Sequence, residues 1–225
     1  MKNLTLRKNI PTLDFKKSKL SRKDINTINK FKSLVINNGD DGLREISKIL
    51  KEKSLNSFKV TKSEFKKADQ LLNDDIKNAI LIAYANIKKY HEKQLEGLSI
   101  KNIETTKGVK LWSEFKPINV VGLYIPGGTA PLFSSLLMQA IPAIIAGCNN
   151  IVVCTPPNKS GNIDPAILWV ASLLNIKNIY KVGGSQAIFA MAYGTKSIPK
   201  CLKIFGPGNQ YVTEAKILVS KDVSM

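Results

Sequence analysis

Apolar residues follow two different spacings along the chain, and the change comes near Pro117. Before it, the chain is Lys-rich and apolar residues recur every three or four positions, as on the buried face of a helix. After it, short runs rich in Val and Ile alternate with helical patterns and with turns that contain Gly and Pro. We therefore predict a mainly helical part over residues 1–118 and a strand–helix part over residues 119–225.

The first part is predicted to hold four helices. Ser21–Asn37 carries apolar residues on one face and ends near Gly39, and a second helix follows over Leu43–Leu50. "TKSE" at 61–64 matches a capping box, which would open the third helix. Asn73 opens the fourth, whose first turn is acidic, as the helix dipole favours.

Two further features of this part bear on function and fold. His91, the single histidine, falls on or beside the packed face of the fourth helix, which favours a packed or hydrogen-bonded side chain. A lone histidine is a poor zinc ligand, because zinc takes three or four protein ligands. Alternation in "KLWSEFK" at 110–116 predicts a half-exposed strand.

The second part repeats a strand followed by a helix. Four strands are predicted over 119–125, 150–154, 178–182 and 201–205. Helices are predicted over Leu132–Ala146, Asp164–Leu174, Ser185–Tyr193 and Gln210–Ser220. Apolar runs of this kind are typical of buried parallel strands with helices on both faces. The predicted fold class is therefore α/β, with a Rossmann-like parallel sheet.

Each predicted strand is followed by a turn with special residues: "PGGT" at 126–129, "TPP" at 155–157, "GGSQ" at 183–186 and "GPGN" at 206–209. Any one of them is explained as a structural connection. Together they would meet at the carboxyl edge of the sheet, where glycines and helix N-termini can approach a phosphate. The pattern predicts a ligand cleft there, although the usual GxGxxG fingerprint is missing.

Composition and charge limit the classes of protein to which this chain can belong. The net charge of +17 invites a nucleic-acid partner, but no aromatic residues alternate with the lysines as a single-strand groove would need. No apolar run is long enough for a membrane span, and the N-terminus lacks the apolar core of a signal peptide, so a cytoplasmic protein is expected. Three cysteines without CxxC spacing are expected to be reduced thiols.

Three stretches carry a family resemblance: "VGLYIPGGTAPLFSSLLMQAIPAIIAGCNNIVVCTPP", "KVGGSQAIFAMAYGT" and "KIFGPGNQYVTEAK". They resemble the histidinol dehydrogenases, NAD- and zinc-dependent enzymes with a fold similar to that of aldehyde dehydrogenases. The resemblance implies that Tyr124, Gln186 and Asn209 contact NAD, with Gly208 allowing close approach. Considered singly, Tyr124 is also explained as a rim aromatic, and the two amides by local turn bonding.

The resemblance also implies what this chain lacks. The family's substrate segment, zinc ligands and catalytic Glu-His pair have no counterpart here, so we expect no catalytic and no metal-binding residues. The chain is expected to be the N-terminal half of an L-histidinol oxidising enzyme that is a homodimer when complete. Residues 1–118 would then belong to an incomplete second domain. A non-catalytic dinucleotide-binding remnant is the main alternative, and aldehyde dehydrogenase proper is a third.

A thiol nucleophile like that of aldehyde dehydrogenases is also considered. Cys148 and Cys154 lie in stretches typical of the family, but neither has a histidine base nearby in sequence. Inert packing is the favoured interpretation for both.

Overall fold

A computed structural model describes residues 20–98, 102–127 and 132–225. The last two residues of the predicted "PGGT" turn therefore lie outside the described residues. The helices are α1 (Arg22–Ile49), α2 (Lys62–Leu71), α3 (Asp74–Glu96), α4 (Phe133–Ile145), α5 (Pro165–Leu173), α6 (Gly184–Tyr193) and α7 (Gln210–Val219). The strands are β1 (Ile103–Thr106), β2 (Val109–Leu111), β3 (Val120–Tyr124), β4 (Asn150–Thr155), β5 (Asn178–Lys181) and β6 (Lys203–Phe205).

The predicted α/β fold class is confirmed by a four-stranded parallel sheet in the order β5-β4-β3-β6. Each predicted strand and helix of residues 119–225 is present, with bounds within a few residues of the prediction. The chain leaves β3 toward one edge through β4 and β5, then returns to β6 on the other side. Such a reversal opens a crevice at the carboxyl ends of the strands.

Side chains alternate along the strands into two cores. On one face Tyr124, Cys154 and Tyr180 pack with α1, α6 and α7. On the other face Leu123 and Val153 pack with α2, α3, α4 and α5. Because both faces are covered, the central strands β3 and β4 are mainly apolar rather than alternating with polar residues.

The helical part is joined to the sheet by packing and by hydrogen bonds. Val60 N–H donates to the Ile179 carbonyl at 2.9 Å, and Lys181 N–H donates to the Phe58 carbonyl at 2.8 Å. This segment runs along the outer side of β5 and satisfies backbone groups that an open edge would expose. Helix α1 packs against α6, and α3 packs against α4. The division of the chain at residue 118 stays a prediction.

Helix α1 bends at Gly39, as the sequence predicts. Gly39 has φ 53° and ψ −123°, which is not a helical conformation, so two helical segments meet there. The next residue, Asp40, is buried and accepts hydrogen bonds from the Ser197 backbone N–H at 3.2 Å and the Ser197 hydroxyl at 2.6 Å. The bend is thereby attached to the loop that follows α6.

The predicted strand over 110–116 is largely wrong. Regular pairing covers Val109–Leu111, which forms an antiparallel hairpin with the unpredicted Ile103–Thr106. A strand needs a partner, and β1 supplies one for these three residues alone, so the chain from 112 to 118 has no regular structure. Trp112 and Phe115 are consequently exposed, at 68% and 65% of their surface.

Histidine and the cysteines fit their predicted packing roles. His91 is partly exposed and its Nδ1 lies 2.6 Å from Gln94 Oε1. All three cysteines are free and buried. Burial raises the pKa of the Cys201 thiol to about 12 and that of Cys154 well above its usual value, so neither forms a thiolate nucleophile readily. None of the helices in the described ranges is both long and apolar enough to cross a membrane.

Candidate dinucleotide site

A cleft of about 660 Å³ opens at the carboxyl ends of β3 and β4, at the edge where the sequence predicts it. Its size is within the range usual for small-molecule and cofactor sites. The walls come from the ends of these strands and from the turns before α5, α6 and α7. They include Tyr124, Pro126, Gly127, Thr155, Pro156, Asn158, Asp164, Gly184 and Asn209.

Tyr124 ends β3 and places its phenol at the floor of this cleft. Its ring is buried, and its oxygen accepts a hydrogen bond from the Gly184 N–H at 3.0 Å. Burial raises the pKa of the phenol above its ordinary value near 10, so the group keeps its proton at neutral pH. Tyr124 can therefore still donate one hydrogen bond, into the cleft that it lines.

The N-terminus of α6 faces the same cleft. Gly183 is its N-cap and has no side chain to bond the first-turn N–H groups. Gly184 has φ +65°, a conformation that favours glycine, and a Cβ at Gly183 would lie 2.4 Å from the Pro156 side chain. The Gly184 N–H donates to Tyr124, but the following first-turn N–H groups and the positive end of the helix dipole are available to an anion here.

Gln186 lies on the first turn of α6, and its side chain is buried. It lines an adjoining cavity of about 290 Å³ between α1 and the N-termini of α6 and α7. The two cavities have Glu52, Gly184 and Asn209 in common. The hydrogen bonds found among the described residues include none from the Gln186 amide, so the amide can bond a ligand that enters this cavity.

Asn209 opens α7 and caps it. Its Oδ1 accepts hydrogen bonds from the backbone N–H groups of Tyr211 and Val212, both at 3.1 Å. The local bonding considered for this amide is therefore present on its oxygen side. The Nδ2 group takes no part in the cap, and Asn209 borders both cavities, so a donor remains for a ligand.

Glycines of the "GPGN" turn are explained first by contacts inside the protein. Gly206 has φ +119°, and a Cβ there would lie 2.1 Å from the Tyr124 carbonyl oxygen. A Cβ at Gly208 would lie 2.2 Å from the Val212 side chain. Lys216 Nζ donates a hydrogen bond to the Gly206 carbonyl at 2.6 Å and stabilises the turn. This packing accounts for the glycine at 208, whose predicted close approach to a ligand stays a prediction.

Sequence reasoning missed one residue of this region, Glu52, which borders both cavities. It follows α1 in the stretch "KILKEKSL", which looks like a solvent-exposed face in the sequence. The residue is exposed in the structure as well, and partial desolvation by its neighbours raises the pKa of its carboxyl group above the ordinary value. The sequence offered one indication that Glu52 could belong to the site: it is an acidic residue just past a predicted helix end.

The described part of the chain contains no group of side chains that could bind a metal ion. No three His, Cys, Asp or Glu side chains there lie close enough together to hold a metal ion. These residues therefore do not fit the zinc that the resemblance implies, and we derive no chemical step through it.

Comparison with known proteins gives consistent matches. The family model described as histidinol dehydrogenase matches residues 16–225. A histidinol dehydrogenase of Bacteroides thetaiotaomicron is 53% identical over 188 residues, which cover 83% of this chain and 44% of that protein. One from Bacteroides fragilis is 52% identical over 189 residues, again covering 83% and 44%.

A solved structure agrees with these matches. The crystal structure of histidinol dehydrogenase from Elizabethkingia anophelis superimposes with a TM-score of 0.86 at 46% identity, covering 91% of this chain and 47% of that one. The chain thus spans under half the length of the relatives that it matches.

Proposed function

The chain belongs to the histidinol dehydrogenase family, and from that premise we propose that it supplies the NAD-binding half of an enzyme that oxidises L-histidinol to L-histidine through the aldehyde. Residues 119–225 carry the nucleotide site in this proposal, and residues 1–118 cover the sheet and border the cleft. The complete enzyme would be a cytoplasmic homodimer.

One observation carries the proposal: a phenol, a helix N-terminus and a capping asparagine border one cleft at the carboxyl edge of a parallel sheet. Tyr124, Gly184 and Asn209 reach it from three different elements. Parallel α/β sheets bind dinucleotides at this edge. Gly183 has no side chain to cap α6, and of the first-turn N–H groups only that of Gly184 donates to a side chain, that of Tyr124, so the other N–H groups remain as donors for an anion.

Each residue has a distinct part in holding the cofactor. First-turn N–H groups of α6 bind the phosphates, Tyr124 donates its O–H, and Asn209 donates through Nδ2. Gln186 binds from the adjoining cavity with its amide. When held by these residues, NAD would supply the acceptor for the hydride from the alcohol carbon of the substrate.

Substrate oxidation needs groups that the described residues do not bring to this cleft. Removing a proton from an alcohol calls for a base poised near neutral pH. Of the two carboxylates that line the cleft, Asp164 caps α5 and accepts from Ala166 N–H at 2.8 Å, and Glu52 is assigned below to the ribose hydroxyls of the cofactor. His91 lies on α3 and does not line the cleft. We therefore propose that catalysis depends on the part of the family's length that this chain does not span.

A second candidate is a dinucleotide-binding remnant without turnover. The observation in its favour is that Asp164 is engaged in the cap of α5 and that His91 does not line the cleft. Both candidates include NAD binding, and they differ in whether a complementary polypeptide restores activity.

The test has two stages. Calorimetric titration of the purified chain with NAD should give measurable binding that Gln186→Ala weakens; no binding at all would refute both candidates. NADH formation from L-histidinol with added zinc is then measured with the chain alone and with a polypeptide that supplies the rest of a matched relative. Activity in the mixture alone supports the enzyme half. Activity from the chain alone would contradict the proposed dependence, and none in either case supports the remnant.

A further inference from the structure

Glu52 is a carboxylate at the junction of the two cavities. It borders the main cleft together with Tyr124, Gly184 and Asn209, and it borders the adjoining cavity together with Gln186. The hydrogen bonds found within the described ranges include none to its carboxylate. Burial is the main cause of the raised pKa of the Tyr124 phenol, and the Glu52 charge adds to it.

The end of α1 fixes where Glu52 lies. Glu52 N–H donates to the Ser47 carbonyl at 2.9 Å, and Lys51 N–H donates to the Lys48 carbonyl at 3.1 Å. Lys51 adopts φ 55°, a left-handed conformation that is uncommon for a residue with a side chain. This hydrogen-bonded helix end, of the Schellman type, turns the chain toward the cleft.

Other carboxylates at the two cavities are already engaged. Asp164 accepts from Ala166 N–H, as part of the cap of α5. Asp24 accepts from the Ser21 hydroxyl at 2.7 Å and from the Tyr211 hydroxyl at 3.4 Å. Glu52 thus differs from both in having its acceptor oxygens available to a ligand.

The charge balance of the two cavities limits what such a carboxylate can bind. No Lys, Arg or His is among the described residues that line either one. A further anionic group placed beside Glu52 would therefore meet a like charge, and the first-turn N–H groups of α6, which the dinucleotide's own phosphates would occupy, would not be free to offset it. Neighbouring hydroxyl groups, by contrast, would donate to its two oxygens.

We propose that Glu52 accepts hydrogen bonds from the ribose hydroxyls of the bound dinucleotide and excludes a 2′-phosphate, so that it selects NAD over NADP. The inference rests on the proposed function, because it assumes that a dinucleotide occupies these cavities. In many dinucleotide-binding sheets an acidic residue follows the second strand; here Thr155 and Pro156 occupy that place, and the acid comes from the end of α1.

The test compares dissociation constants for NAD and NADP by calorimetry at about pH 8, where a carboxyl group is ionised. The variants are Glu52→Gln, which removes the charge, and Glu52→Asp, which keeps it. Glu45→Gln is the matched control, since Glu45 is exposed on α1 and lines neither cavity. Glu52→Gln should reduce the preference for NAD by about tenfold or more, mainly by tighter binding of NADP. Glu52→Asp and Glu45→Gln should keep most of the wild-type preference.

Each result discriminates. Wild-type chain that binds neither nucleotide would refute the proposed function and this inference with it. Wild-type chain that binds NAD, with an unchanged NAD preference in Glu52→Gln, would overturn the inference and leave the proposed function standing. An equal loss of preference in Glu45→Gln would also overturn it, because a general change of surface charge would then explain the effect.

Discussion

Asn209 combines two roles that substitution can separate. Its Oδ1 caps α7 through two backbone N–H groups, whereas its Nδ2 is proposed to donate to NAD. Serine caps helices about as well as asparagine but has no amide N–H₂ group. We therefore expect Asn209→Ser to unfold with nearly the wild-type free energy but to bind NAD more weakly.

Magnitudes follow from the contacts. Losing one net hydrogen bond costs about 1 kcal/mol, which corresponds to an increase of about fivefold in the dissociation constant. Asn209→Ala should show the same loss of affinity and, in addition, a fall of about 1 kcal/mol in the free energy of unfolding, because the cap is also removed. Asn209→Asp keeps the cap and should weaken NAD binding further, since its charge repels the phosphates.

The assays are urea denaturation followed by circular dichroism, and calorimetric titration with NAD. Wild-type affinity in Asn209→Ser, measured on a protein that binds NAD normally, would show that Asn209 acts as a cap alone. A loss of stability in Asn209→Ser equal to that in Asn209→Ala would contradict the cap geometry on which the separation depends.

Three further predictions follow from the described contacts. Hydrogen bonds from Ser197 hold the pKa of Asp40 below its usual value despite burial, so its carboxylate stabilises the fold above an unfolded pKa near 3.8, and this contribution is lost as the pH falls through the lower folded pKa. Asp40→Asn should therefore lower the free energy of unfolding by about 1–3 kcal/mol near pH 7 and by less in acid, whereas the exposed control Asp41→Asn should not. Denaturation measured across this pH range tests both variants. Tyr124→Phe leaves the Gly184 N–H without its acceptor, so the free energy of unfolding should fall by about 1–3 kcal/mol in urea denaturation. An unchanged free energy of unfolding would mean that water replaces the phenol as acceptor. Limited proteolysis should cut between residues 98 and 118, and the two fragments should co-elute in gel filtration because they share both cores; separation of intact fragments would contradict the shared packing.

Much of the fold could be predicted because its signals are local. Thr61 and Glu64 form the predicted capping box, with the Thr61 backbone N–H donating to Glu64 Oε2 at 2.8 Å. Gly39 bends α1 where a glycine interrupts the helical pattern. The alternation at 110–116 was misleading, because a strand depends on a partner that the pattern does not show: pairing stops at Leu111, opposite Ile103, the first residue of β1.

The candidate site was predictable in location but not in composition. The turns after β3, β4, β5 and β6 could be assigned to one edge, because parallel strands bring their carboxyl ends together. Which side chains share a cavity was not predictable from these turns. Gln186 lines the cavity beside α1, and the Asn209 side-chain oxygen accepts the hydrogen bonds that cap α7.

The sequence by itself determined the order of the helices and strands, the parallel sheet and the edge at which a ligand would bind, because periodicity, capping residues and turn glycines act between near neighbours in the chain. The tertiary structure alone decided that Glu52 borders the same cleft as Gly184 and Tyr124. That arrangement brings together residues far apart in sequence, and it exists because α1 packs against α6 over a common apolar core. Burial of this kind depends on the summed fit of two surfaces, which no local pattern of residues encodes.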